Sequence, residues 1–152
     1  MDIIEKITSL PAMNKSEMDI AKQADREIAD MEQIVCETYH LLHGGIYSRT
    51  VVLAKGTLIA GVEIGVPTTL MSSGHLMVYI GDEVLELDGI HVIPASSGRK
   101  QVMYAVEETS LTMSLVTDAK TIEEAEESFT DEPEELMSRL EESVNHITIT
   151  GV

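Results

Sequence analysis

The chain has 152 residues, 43% of them hydrophobic, and sets 27 Asp and Glu against 10 Lys and Arg for a formal net charge of −17. That balance repels phosphate backbones and anionic lipid, which excludes nucleic acid and membrane surfaces as partners and favours solubility. The length suits one domain that buries a core without staples, and Cys36, the single cysteine, leaves no internal disulfide to form.

The first segment, 1–13, carries scattered apolar residues interrupted by Pro11 and is expected to be a flexible arm. It opens on M-D-I-I-E-K-I-T, with acids where a signal peptide carries basic residues, and no apolar run approaches the roughly 20 residues of a membrane span. The expected location is cytosolic. From Asn14, with Ser16 and Glu17 to start a helix, Ala21, Ala24, Ile28, Met31, Val35, Thr38 and Leu42 recur at alternating spacings of three and four. This predicts an N-terminal helix over 14–43, ended by Gly44-Gly45. Its seam either docks on the chain's own β body or pairs subunits through Ala24, Ile28, Met31 and Val35.

Residues 44–117 are runs of Val, Ile, Leu and Tyr cut at short intervals by Gly, Pro and Ser, the pattern of about eight short strands. Tyr47 and Arg49 share one face of the first run, with Ile46 and Val52 near the other. Lys55-Gly56, Ser72-Ser73-Gly74, Gly81-Asp82, Asp88-Gly89 and Glu107-Glu108-Thr109 read as turns, and Pro94 to Lys100 as a longer loop. The tail, 118–152, is acidic and helical: Thr121 or Asp118 caps one helix, and Pro133 starts a second with an apolar stripe of Leu136, Met137, Leu140 and Val144. The alternating end, with Ile147 and Ile149, is a strand that pairs with a sheet edge of its own body or of a neighbour's.

The stretch from Gly61 to Gln101 resembles the cupin family. The family's first motif, G-x5-H-x-H-x(3,4)-E-x6-G, is matched by the spacing of Gly61 and Gly81, and its ligand positions then fall on Pro67, Thr69 and Gly74. The second, G-x5-P-x-G-x2-H-x3-N, is echoed by Gly89, Pro94 and Gly98, one and two residues off the family spacing, with Gln101 and Ala105 in the histidine and asparagine places. The resemblance implies a mainly β fold, a cupin-like double-sheet β-barrel of jelly-roll type, here flanked by an N-terminal helix and a C-terminal helix plus terminal strand. Its ligand places hold no His or Glu, so neither metal nor other cofactor is expected. More narrowly, G-I-Y-S-R-T, P-A-S-S-G-R-K-Q-V, E-E-T-S-L-T-M and T-D-A-K-T-I-E-E-A-E-E-S-F-T-D-E resemble small cupin-like proteins of tailed bacteriophages over roughly Gly45 to Glu135. That implies a phage or prophage origin, synthesis in the host cytoplasm, and other virion proteins as candidate partners.

Chemistry has few footholds. His40 and His43 lie three apart, which on a helix places both on one face, and nothing nearby completes a metal site. His75 and His91 begin successive strand segments. Ser72, Ser73, Ser96 and Ser97 lack the setting of a nucleophile elbow, and Gly98-Arg99-Lys100 lacks the P-loop pattern. The expected function is therefore non-catalytic: a self-associating structural or accessory virion component, a homo-oligomer whose contacts come from the helix seam and from Ile147 and Ile149. The alternative is a small-ligand-binding protein or metal-independent isomerase with His75, Tyr79, Glu63, Tyr104 and Arg49 inside the barrel. Arg99 and Lys100, the most basic spot in the chain, are candidates for contact with an anion or acidic segment.

Overall fold

Strand parity organises this protein, because each residue of a strand points to the face opposite its neighbours and one face must be buried. The structure, a computed structural model, describes residues 9–151. It is mainly β, as expected: one eight-stranded sheet curls into a half-barrel consistent with a cupin-like jelly roll. The strands are β1 (Thr38–His43), β2 (Ile46–Leu53), β3 (Leu58–Ala60), β4 (Thr68–Ile80), β5 (Glu83–Ala95), β6 (Val102–Ala105), β7 (Thr109–Val116) and β8 (Asn145–Thr150). Their order is β3-β6-β4-β7-β2-β1-β8, with β5 paired to β4. The helices are α1 (Lys15–Ala29) and α2 (Ile122–Phe129).

The long β4–β5 hairpin turns at Gly81-Asp82, as the sequence predicts. Ser72-Ser73-Gly74 and Asp88-Gly89 are not turns, however: they lie inside β4 and β5, where Gly74 stands opposite Gly89. The hairpin bends there, its first half pairing with β7 and its second with β6. Gly74 has φ +143°, and a Cβ on it would stand 2.4 Å from the Glu108 carbonyl oxygen and 2.5 Å from Thr109 Oγ1, so only glycine lets the strands cross.

The helix expected over 14–43 is half its predicted length. Asn14 and Glu17 form a capping box, and α1 stops at Ala29 with Asp30 as its cap. Thr38, His40 and Leu42 are buried while Tyr39, Leu41 and His43 are exposed, which is a strand. The seam reading failed because a spacing of four is also even, so Thr38 and Leu42 satisfy a heptad and a strand alike. Gly44 and Gly45, at φ +57° and +82°, close the β1–β2 hairpin instead of capping a helix.

Residues 1–8 of the expected arm lie outside the described residues, and Leu10 is pinned: it is 1% exposed, and its backbone bonds Pro94 and Ser96. The second C-terminal helix is also absent. In its place are two single 3-10 turns, Pro133–Glu135 and Met137–Arg139, because Leu136 drops into the core between them and the chain must reverse to reach β1. β8 then runs parallel to β1 of its own body.

The core has two parts. One is the curl itself, around Leu53, Leu76, Val78, Leu87 and Met103. In the other, α2 and Leu136 close one mouth, with Phe129 stacked on Tyr47 at 6.2 Å between ring centroids.

Candidate functional site

Alternation from residue 99 to 105 builds the interior of the half-barrel. Gly98, at φ +79°, turns the chain, Ile64 N–H donates to the Arg99 carbonyl at 2.8 Å, and Gly61 N–H donates to that of Gln101 at 2.9 Å. Arg99, Gln101, Met103 and Ala105 therefore share one parity. Arg99, Gln101 and Met103 line a cavity of about 120 Å³ whose walls include Val51, Ile59, Leu70, Leu111, Phe129 and Leu136. Lys100, Val102 and Tyr104 take the other parity, toward α1. Lys100 Nζ donates to Asp25 Oδ2 and to the Gly61 carbonyl, both at 2.8 Å, which fastens α1 to the sheet.

Arg99 is 3% exposed, and among the described residues no carboxylate pairs with it. One of its nitrogens donates to Thr68 Oγ1 at 2.5 Å, while its Nε and the Gln101 Oε1 are buried without partners. Burial pulls the Arg99 guanidinium down to about 10. Arg49 also lines the cavity but is compensated, because its Nη1 lies 2.9 Å from Glu126 Oε2.

Glu126 heads a closed polar circuit. It also accepts from Ser138 Oγ at 2.5 Å and Arg139 Nε at 2.9 Å. Burial raises its pKa, but the bonds from Ser138, Arg139 and Arg49 outweigh that and hold it below the usual carboxylate range. On the other side, Asn145 Nδ2 donates to the Ser138 carbonyl at 2.8 Å, which leaves Asn145 Oδ1 to accept from His40 Nε2 at 2.6 Å. His40 Nδ1 must then accept from the Tyr47 hydroxyl at 2.7 Å, whose oxygen takes Arg49 Nη1 at 3.5 Å. This requires a neutral His40, and burial lowers its pKa accordingly. Burial pushes Tyr47 up to about 12. The circuit locks β8 and the 3-10 turns over the barrel mouth.

The outward positions of β7, β2, β1 and β8, with those of β5 and β4 on the β7 side of the bend, form a different surface. They hold Ile90, Val92 and Pro94, then Thr69, Met71 and Ser73, then Ser110, Thr112, Ser114 and Val116. Beyond these come Ile46, Ser48, Thr50 and Val52, then Tyr39, Leu41 and His43, and finally His146, Thr148 and Thr150. None of these is Asp, Glu, Lys or Arg, although Glu86 and Asp88 continue the outward row of β5 past the bend and Glu37 bonds Tyr39 and His146 at the β1–β8 edge. Hydroxyls bond across strands, Ser48 to Ser114 at 2.8 Å and Thr50 to Thr112 at 2.7 Å. Ile90, Val92 and Val116 are 77%, 62% and 87% exposed.

Of the residues expected inside the barrel, only Arg49 is there. Leu76 and Val78 take the inward positions of β4, which turns His75 and Tyr79 outward. Tyr79 lies beneath α1 beside Ile20 and Ile28, and Tyr104 is on the same side. Glu63 lines a polar groove with Lys22, Asp25 and Arg26. Ala24 and Ile28 face their own body, whereas Ile147 and Ile149 stay exposed on β8. Gln101, placed by the family spacing, is the interior residue that sequence reasoning named without assigning a role.

The cavity does not fit a metal. Of the family ligand places, Thr69 points outward and Gly74 has no side chain; only Gln101 faces the interior, beside two guanidinium groups that repel a cation. Outside the barrel, His75, Glu86 and Asp88 bring ligand-type atoms within 4.8 Å of one another, with Glu86 Oε1 3.4 Å from His75 Nε2. Among the described residues no helix is long and apolar enough to cross a membrane.

No family model and no curated protein matches the chain. Solved structures do resemble it. Ectoine synthase from P. lautus is 14% identical, with 60% of this chain and 74% of that one covered and a TM-score of 0.47. An RmlC-like cupin family protein with a double-stranded β-helix fold from Methanocaldococcus jannaschii is 10% identical over 58% and 84%, at 0.46. The cupin domain of a Schizosaccharomyces pombe protein is 11% identical over 59% and 66%, also at 0.46.

Proposed function

We propose that this protein is a non-catalytic, self-associating scaffold whose contact surface is the outer sheet face of β5, β4, β7, β2, β1 and β8. The observation that carries the reading is how little formal charge that face holds in a chain of net charge −17: its central strands have none, and the acids lie at its edges, Glu86 and Asp88 past the bend of β5 and Glu37 against Tyr39 and His146. Copies of so acidic a chain repel one another, and burying charged groups at an interface costs several kcal/mol per ion. The central strands of this face can be covered by a second copy without burying an ion. Its central hydroxyls already bond to each other, and Ile90, Val92 and Val116 supply apolar area at its margins.

The finer reading is a structural or accessory component of a tailed-phage particle, supported by the resemblance over Gly45 to Glu135. Acid–base isomerisation in the barrel has less support, since His75, Tyr79, Tyr104 and Glu63 all lie away from the cavity.

The test is native mass spectrometry and sedimentation of the full chain beside Thr112→Glu, which places a charge mid-face. A defined oligomer that dissociates in the variant, with the circular dichroism spectrum kept, is expected. A wild-type monomer at every concentration would refute the assembly. Co-purification with assembled particles from a producing host tests the virion role.

A further inference from the structure

We propose that β8 is a second contact between copies of this chain: its free edge pairs antiparallel with β8 of another molecule about a two-fold axis at Thr148, joining two sheets into one. This rests on the self-association reading but uses the edge of the sheet, where that reading uses its face.

An unpaired strand edge presents a row of N–H and C=O groups, and proteins block such edges with charge, proline, short length or a covering segment. Among the described residues the free edges of the sheet are those of β3, β5 and β8. β3 is three residues long and packs against α1. β5 carries Glu83, Glu86, Asp88 and Pro94, and Leu10 pairs with its last residue, Ala95. β8 has none of these devices: Asn145 to Thr150 contains no Asp, Glu, Lys, Arg or Pro, and every position is exposed. Its one neighbour among the described residues is β1.

The β1–β8 ladder fixes which groups are free. Thr38 N–H donates to the Val144 carbonyl at 3.0 Å, and in a parallel pair alternate residues bond the same neighbour. His146 and Thr148 therefore turn their main chain to β1, while Ile147 and Ile149 turn theirs to the open edge. Antiparallel pairing joins residues that each offer both groups, so Ile147 must face Ile149 of the second copy, and Ile149 its Ile147. That register is self-complementary and puts the axis at Thr148. It also sets the isoleucine side chains, 55% and 40% exposed in one copy, against each other on one side of the joint sheet. Charge does not oppose the approach. Glu37, the acid bonded to His146 at 3.0 Å, lies a strand away and toward the start of β8, so the two copies' Glu37 carboxylates stand roughly 25 Å apart, beyond the Debye length at physiological salt.

The experiment is oxidative cross-linking of the full-length protein carrying Thr148→Cys, read on a non-reducing gel and by sedimentation velocity. Cys36 is buried, which leaves the new thiol as the reactive one. Residues facing each other at a non-hydrogen-bonded antiparallel position stand about 4.5 Å apart at Cα, within disulfide range. Conversion of most of the chain to a covalent dimer is expected. His146→Cys, whose copies lie roughly 13 Å apart in this register, should not cross-link. Ile149→Pro removes a donor on the open edge and none toward β1, so in the Thr148→Cys chain it should lower cross-linking at least about tenfold with the circular dichroism spectrum kept. If the proline variant does not fold, Ile147→Lys, which charges the edge, takes its place with the same expected loss. The proposal is overturned if Thr148→Cys does not cross-link, if His146→Cys cross-links equally, or if the edge variant changes nothing. The two contacts are told apart by Thr112→Glu. A Thr148→Cys chain that fails to cross-link but forms an oligomer dissociated by Thr112→Glu removes the edge contact alone, and a wild-type dimer that Thr112→Glu leaves intact removes the sheet-face contact alone.

Discussion

Glu126→Gln tests whether the polar circuit holds the tail in place. The substitution keeps shape and one acceptor oxygen but removes the charge that compensates Arg49, whose side chain is 10% exposed. Breaking one partner of a buried ion pair costs about 3–5 kcal/mol, and the surviving amide oxygen puts the expected loss near 3 kcal/mol. Arg139 is 27% exposed and adds only about 0–1 kcal/mol. For a domain of this size the melting temperature should fall by roughly 6–12 °C. Urea unfolding of the wild type, Glu126→Gln, Arg49→Met and the double variant gives the coupling directly. Arg49→Met alone leaves Glu126 with Arg139 and Ser138, so the double variant should recover part of the loss, with a coupling energy of about 2 kcal/mol. A coupling below about 0.5 kcal/mol would refute the claim that the pair holds the mouth closed. Arg139→Ala, costing less than about 1 kcal/mol, is the control.

Three further outcomes are expected. Gly74→Ala combines left-handed backbone strain with contacts of 2.4–2.7 Å to Glu108 and Thr109, and should cost roughly 2–6 kcal/mol in chemical denaturation; a loss under about 1 would deny the crossing its glycine requirement. His40 is held neutral with its pKa below the ordinary 6.5, so the unfolded chain takes up the proton first and stability falls as pH drops below that value, until the folded state also protonates. Glu126 adds a second loss as pH falls below 4.5, its ordinary value, toward its lowered folded one. Melting temperatures from pH 8 down to about 2.5 should therefore show both declines in the wild type, the first absent in His40→Gln. Asn14→Ala removes the capping box of α1 and should cost about 1 kcal/mol, read as faster amide exchange confined to α1 with the sheet unchanged.

Local chemistry made part of this fold legible. Gly81-Asp82 announces its hairpin, Thr121 caps α2 and Asn14 with Glu17 starts α1 because each signal is complete within a few residues. Signals that two structures share do not choose between them. Thr38 and Leu42 fit helix and strand equally, Ser72-Ser73-Gly74 has turn composition but serves a bend, and the stripe after Pro133 is broken when Leu136 enters the core. Site residues fared worse for a related reason. His75, Tyr79 and Tyr104 lie in strands, as expected, but strand membership leaves the side open.

What the sequence determined by itself is periodicity: a mainly β chain, its hairpin ends, and an alternation along each strand. The tertiary structure decided the sign of that alternation, and with it the contrast between the uncharged outer sides of β7, β2 and β1 and an interior holding two arginines. It also decided which arginine is compensated. Glu126 reaches Arg49 across 77 residues, while among the described residues no carboxylate reaches Arg99. A period of two records that neighbours oppose each other; only packing against the rest of the chain selects the side that loses its water.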